Sequence, residues 1–423
     1  MVGLLLKLLI VALFAYVIYR IFFASAAAPR SESVSDRRNE RGYAFLSNGL
    51  LYYRQRSGEL KQVHSPYVQE SMDRREQLRD RHGWKQGTSF NVAAGGGSRS
   101  FEANNSAIQT TTAAFEADGN LIYFLKNENM GGLFRHETSS GKELRILFQQ
   151  NLHLSDLNPS PDGTLLAASS RHENGVANIV MFDNDGNNYR EVTGGDTVDT
   201  APAWIPGVPN RLLFQSAGFA RNEEGYIIAQ GPASIQKLDR DLGSVTPILD
   251  DPAFDHLKPR VTQAGNLLYI RRPYEGPSYG LGSMLSDTLQ FPFRLLRAVF
   301  HYLNFFSLMY TRKPLTSANG PAVKADIKNI LLQGKRIDAE KALRSARPVQ
   351  GVPSLVPDSW QLISRDQQGV ENVLATNVAT FDISPDGAIV YSNGRGVFVL
   401  DQDGSSQLAH TEELVAEVVA AVA

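Results

Sequence analysis

A short phrase recurs along this chain and limits what it can fold into. Ser160-Pro161-Asp162-Gly163 precedes the apolar run Thr164-Leu165-Leu166-Ala167, and Ser384-Pro385-Asp386-Gly387 precedes Ala388-Ile389-Val390-Tyr391. A looser copy, Ala117-Asp118-Gly119-Asn120, precedes Leu121-Ile122-Tyr123-Phe124. In such a turn Pro presets φ, Asp hydrogen-bonds its own backbone and Gly takes positive φ. A turn that repeatedly feeds a β-branched and aromatic strand marks a repeat architecture.

A second element sets the count. Apolar runs folded about a Gly-bearing polar turn read as hairpins at 51–63, 133–147, 179–192, 235–249, 360–374 and 397–409. The upstream turn has two further copies, Pro206-Gly207 and Ala264-Gly265, making five turns for six hairpins. The turn missing is the one before the first hairpin. Six hairpins with five turns predict an all-β, six-bladed propeller of four-stranded blades whose missing strand comes from elsewhere in the chain. The Val-rich tail 414–422 is the candidate, lying beside the first blade to close the ring. The competing reading is a short amphipathic helix capped by Thr411, with Glu412 and Glu413 in its first turn. Closure has a motive, since an open ring leaves two blade faces wet.

The Ser-Pro-Asp-Gly turns, the blade length and the six-fold count resemble the PD40 or TolB-like six-bladed propeller family over about residues 41–272 and 354–423. The resemblance implies a bacterial envelope protein, or the propeller part of a serine peptidase, that binds proteins, peptides or sugars on the ring face. It implies no shared catalytic residue.

Composition agrees with a folded domain: 42% hydrophobic and 20% charged residues. A net charge of −2 argues against a nucleic-acid partner. The absence of cysteine excludes disulfides, thiolate metal sites, cysteine nucleophiles and a lipobox.

Residues 4–23 are almost wholly apolar, interrupted by Lys7 and Arg20, and twenty residues suffice to cross a bilayer. The segment 1–24 reads as an uncleaved transmembrane anchor. Ala24-Ser25-Ala26 keeps a cleaved signal peptide open, although Arg20 and Pro29 are unusual around such a site. Residues 25–40 read as a linker. Arg30, Arg37, Arg38 and Arg41 follow the span, and the positive-inside rule would hold the propeller in the cytoplasm. The family resemblance places it in the periplasm, on a single-pass inner-membrane anchor. The periplasm is the expectation, with the cytoplasm open.

A segment of 273–353 does not fit a blade and interrupts the fourth blade between its second and third strands. From Arg271 to Arg347 it holds thirteen Lys and Arg against five Asp and Glu. Residues 291–311 carry helical periodicity, with a narrow polar stripe of Arg294, Arg297, His301, Asn304 and Thr311 on an otherwise apolar surface. Three readings stand. It is a second span, although its charge-free part, 298–311, is short for that. It lies in the membrane plane, with Phe300, Phe305 and Phe306 among acyl chains and Arg294, Arg297, Arg312 and Lys313 at the headgroups. Or it packs against the rest of the insertion or a partner. Residues 322–332 and 337–346 read as two further helices separated by Gly334. Residues 67–84 read as a solvated helix laced with ion pairs, on the same mouth of the ring as the insertion.

No constellation for chemistry stands out. Gly276-Pro277-Ser278-Tyr279-Gly280 matches G-x-S-x-G, but no alternating strand–helix series follows to build a nucleophile elbow. The eight histidines never pair at metal-ligand spacing. The Asp183–Asn188 run lacks the twelfth-position Glu of a calcium loop, Gly194 standing there, and reads as a hairpin turn. Residues 93–100 read as a flexible link, and Trp204 and Trp360 as core. The expectation is a non-enzymatic scaffold with no cofactor, metal or catalytic residue, binding a protein or peptide on its ring face and lipid through 4–23 and 291–311. The alternative is a ligand- or carbohydrate-binding sensor, or an enzyme, with its site in the funnel.

Overall fold

The structure, a computed structural model, describes residues 41–56, 58–83, 108–127, 129–276, 329–345, 347–401 and 404–421. Its strands form six antiparallel four-stranded blades. Blade one holds β1 (Tyr43–Ser47), β2 (Leu50–Arg54) and β3 (Leu60–Gln62), and a helix, α1 (Pro66–Gly83), leads on. Blade two is β4 (Gln109–Phe115), β5 (Leu121–Lys126), β6 (Met130–His136) and β7 (Glu143–Gln150). Blade three is β8 (Leu154–Pro159), β9 (Leu165–Arg171), β10 (Ala177–Asp183) and β11 (Arg190–Glu191). Blade four is β12 (Thr197–Trp204), β13 (Arg211–Arg221), β15 (Ser234–Asp239) and β16 (Ser244–Leu249), with β14 (Ile227–Gln230) paired to the long end of β13. Blade five opens with β17 (Phe254–Val261) and β18 (Leu267–Pro273) and resumes with β21 (Gln361–Arg365) and β22 (Glu371–Thr376). Between those halves stand a hairpin, β19 (Asn329–Leu332) with β20 (Lys335–Asp338), and a short helix, α2 (Ala339–Ser345). Blade six is β23 (Thr380–Ile383), β24 (Ile389–Ser392), β25 (Gly396–Leu400) and β26 (Ser406–Thr411).

The last strand, β27 (Glu417–Ala420), pairs antiparallel with β1, setting Glu417 opposite Leu46 and Ala420 opposite Tyr43. It supplies the innermost strand of blade one, so the strand reading of the tail holds and the helix reading falls. The chain crosses to it through backbone bonds from Val415 N–H to the Gly394 carbonyl in blade six and from Ala416 N–H to the Leu46 carbonyl. At the seam the backbones run so close that a Cβ on Gly42 would lie 2.8 Å from that of Ala421, which only glycine avoids.

The ring is closed by packing as well. Six apolar clusters lie between the six pairs of neighbouring blades. The cluster joining blade six to blade one holds Val390, Val397 and Val399 against Tyr43, Phe45 and Val418. A closed ring gives every blade face a partner, which is why these strands carry apolar residues on both faces and show little alternation.

The turns do what their residues dictate. In the Ser160 turn, Gly163 takes φ 70° and Asp162 accepts from both the Ser160 hydroxyl and the Thr164 N–H. Gly387 and Gly119 repeat the geometry at φ 86° and 82°. The Asp183 run is a hairpin turn, closed by Asp183 N–H to the Asn187 carbonyl with Gly186 at φ 87°. In three blades a tyrosine of the second strand reaches the outer strand: Tyr123 to Glu143, Tyr269 to Glu371 at 2.6 Å, and Tyr391 to Ser406 at 2.7 Å. Tyr269→Phe is expected to lower stability by about 1.5–3 kcal/mol, the range for a bond to a charged acceptor, read by urea denaturation. An unchanged midpoint would remove the tie between the strands from the account.

Two expectations are corrected. The interrupted blade is the fifth, not the fourth, because counting turns skips blade one, whose first strand comes from the C-terminus and has no such turn. Residues 329–332 and 335–338 form a β-hairpin rather than helix ends. Gln333 and Gly334 both take positive φ, 47° and 72°, the signature of a two-residue primed turn, and helix begins only at Ala339. Residues 277–328 of the insertion, and the segments 1–40 and 84–107, lie outside the described residues. Among the described residues no helix is long and apolar enough to cross a membrane.

Candidate functional site

The innermost strands β4, β8, β12, β17, β23 and β27 line the axis of the ring. Four of them are bulged: β4 between Thr110 and Thr112, β8 between Ser155 and Asn158, β12 between Thr200 and Ala203, and β17 between Leu257 and Arg260. A bulge re-aims a side chain out of the pleat. Asp156, Ala201 and Lys258 sit in these bulges with φ of 53°, 53° and 51°. Left-handed backbone costs a lysine or alanine about 1–2 kcal/mol, more than it costs an aspartate.

Two of the bulged residues, Asp156 and Lys258, meet at the waist of the channel. Lys258 is 4% exposed, and its Nζ lies 3.9 Å from Asp156 Oδ1 in blade three and 3.6 Å from Glu417 Oε1 in blade one. The same Nζ donates to Thr380 Oγ1 in blade six at 3.3 Å. The Thr112 hydroxyl of blade two donates to Glu417 Oε1 at 3.4 Å and accepts the Leu157 N–H. One layer towards the turn side, Arg260 pairs with Asp382 at 2.7 Å, and Asp382 also accepts the Ala420 N–H of the closing strand. Burial pushes the Glu417 carboxyl up to about 7, and Lys258 offsets only part of that.

This waist separates two cavities. On the side of the Ser-Pro-Asp-Gly turns a cavity of about 390 Å³ is walled by Trp204, Pro161, Arg260, Asp382, Pro385 and Glu417. That volume lies within the range of small-ligand sites. On the opposite side a more polar cavity of about 650 Å³ holds Asp156, Gln215, Arg272 and Tyr274, and is bordered by Gln333 and Lys335 of the insertion hairpin. The hairpin is tied down there by Arg272, which donates to the Gln333 carbonyl and to Asp255, and by a Lys335–Glu275 pair at 2.8 Å. Leu332 buries beside Leu355, Val356 and Trp360, with Leu414 packed against the same cluster. The described part of the insertion thus borders the mouth opposite the Ser-Pro-Asp-Gly turns.

The membrane-contact residues expected from the sequence, Arg294, Arg297, Phe300, Phe305, Phe306, Arg312 and Lys313, lie outside the described residues, as does 277–280 of the G-x-S-x-G match. Trp360 is core, as expected. Trp204 is both core and cavity wall, its indole N–H donating to the Asn158 carbonyl at 3.1 Å. Sequence reading missed Asp156, Lys258, Arg260, Asp382 and Glu417. A signal existed for one of them: Glu417 is the lone charge in the Val-rich tail from 414 onward.

No protein-family model matches the chain, and no curated protein matches it. Solved structures similar in chain path include TolB from Acinetobacter baumannii, at 14% identity and TM-score 0.49, over 91% of this chain and 67% of that one. A nidogen/laminin complex aligns at 9% identity and TM-score 0.46, over 90% of this chain and 98% of that one. A puromycin-hydrolysing peptidase of Mycobacterium tuberculosis aligns at 12% identity and TM-score 0.40, over 89% of this chain and 53% of that one. These likenesses carry no residue roles across.

Proposed function

We propose that this chain is a non-enzymatic, membrane-anchored propeller of the bacterial envelope that binds a protein or peptide at the turn-side mouth of its ring. The observation that carries the reading is the axial cavity itself. Its walls are rigid strands and proline-bearing turns, so little conformational freedom is lost when a segment enters. Its lining mixes an indole, aliphatic side chains, a guanidinium and two carboxylates, the mixture that recognises a peptide. The apolar segment 4–23 and the family resemblance support the envelope location. In this reading residues 291–311 add a second contact with lipid, through Phe300, Phe305 and Phe306 and the flanking Arg294, Arg297, Arg312 and Lys313.

The test is capture of partners from detergent-solubilised membranes with the full chain as bait. Ala117→Trp with Gln263→Trp narrows the mouth at two exposed turn positions without touching the core. The pair is expected to lose at least ten-fold of the captured partner, and removing residues 1–24 is expected to release the chain from membranes unless residues 291–311 alone hold it. Capture unaffected by the two tryptophans would move the binding surface elsewhere.

A further inference from the structure

The waist of the channel is one positive charge short. Arg260 and Asp382 balance each other. Lys258 stands between two carboxylates, Asp156 and Glu417, and must serve both. Asp156 has a second donor, the Ser155 hydroxyl at 3.1 Å. Glu417 has less. Its Oε1 is met only by the long Thr112 contact at 3.4 Å and by Lys258 at 3.6 Å, and its Oε2 has no partner among the described residues. The residue is 9% exposed, and what exposure it has is to the turn-side cavity. A buried carboxylate without full hydrogen bonding is costly, and natural sites remove that cost by supplying a cation.

We infer that Glu417 is the specificity determinant of the turn-side cavity and takes a cationic group of the bound peptide, an ammonium or guanidinium, against its open oxygen. This rests on the peptide-binding reading and narrows it to one chemistry. The cavity is suited to such a group. Trp204 offers an aromatic wall for the methylene stem of a lysine or arginine. Arg260 is neutralised by Asp382 and does not repel an incoming cation. With that pair neutral, Glu417 is the unbalanced carboxylate of the wall and draws the cation inward. Exclusion of water at the base of the funnel strengthens the pairing beyond its value at a surface.

The test uses the full chain in detergent at pH 8, with three tripeptide probes read by ligand-observed NMR titration. The first is N-acetyl-Gly-Lys-Gly-amide. The second replaces Lys by norleucine. The third keeps norleucine and frees the N-terminal amine. The lysine peptide is expected to bind at least ten-fold tighter than the capped norleucine peptide, and the third probe reports whether an N-terminal ammonium substitutes for the side chain. Glu417→Gln keeps the shape and should erase the ten-fold preference. Lys258→Met removes the competing cation and should increase it. Equal binding of the three peptides, or a preference that survives Glu417→Gln, overturns the inference while leaving the peptide reading intact. Binding of none of them also overturns it, and the scaffold reading then stands or falls by the capture experiment.

Discussion

Truncation after Glu413 is expected to abolish the cooperative unfolding of the propeller or to lower its midpoint severely. The deleted tail buries Val415 and Val418, at 0% and 2% exposure, between blades six and one, and Val419, at 6%, between blades one and two. Full burial of valine contributes roughly 1.5–3 kcal/mol each, so the loss is about 5 kcal/mol or more. That compares with a total stability of about 5–15 kcal/mol for an ordinary domain. The damage extends further, since β1 loses its inner partner and the apolar faces of Phe45 and Val390 become wet. Val418→Asp should reproduce most of the effect by placing an unpaired charge in that interface. Thermal melting by circular dichroism is the measurement. A truncated chain that melts within about 2 °C of the full one would show that the tail is an accessory and that the ring stands open without it.

The second large effect concerns pH. The Glu417 carboxyl is raised from 4.5 to about 7, chiefly by burial. An acid whose folded value lies above its unfolded value binds more protons in the folded state between the two. Its stabilising contribution is therefore complete below about pH 4.5 and declines as pH rises to about 7, then stays level. The span corresponds to about 3 kcal/mol. Urea midpoints measured at pH 5 and pH 8 should show the full-length protein losing stability towards alkaline pH. Glu417→Gln should remove most of that loss, and at pH 8 the variant should be the more stable protein. A slope unchanged by the substitution would place its source in other groups.

The Val-rich tail and the turn count together announced the closure, because six hairpins with five turns leave one strand to be supplied. The hairpin of the insertion was not legible. Ile327, Ile330 and Leu331 fall at helical spacing, and so do Ile337 and Leu343, so periodicity alone favoured helix. The primed turn at Gln333-Gly334 is a two-residue signal, too short to outweigh that pattern, and the pairing of Ile330 with Ile337 decided the matter. The docking of Leu332 against Trp360 gave the short ribbon the apolar support that an isolated hairpin lacks.

The sequence by itself determined the repeat, the four-stranded unit and the need for a closing strand. Those follow from local chemistry: prolines and glycines that admit one turn, and runs apolar on both faces that require a neighbour on each side. The candidate site was decided by the tertiary structure alone. Lys258 and Asp156 belong to strands of mixed polarity, Phe254–Val261 and Leu154–Pro159, and nothing local announces that a bulge turns each inward at φ near 50°. Glu417 stands 159 residues beyond Lys258, in a tail whose partner strand begins the propeller. Ring closure brings them to 3.6 Å, and the low dielectric of the closed channel then makes an unbalanced carboxylate matter.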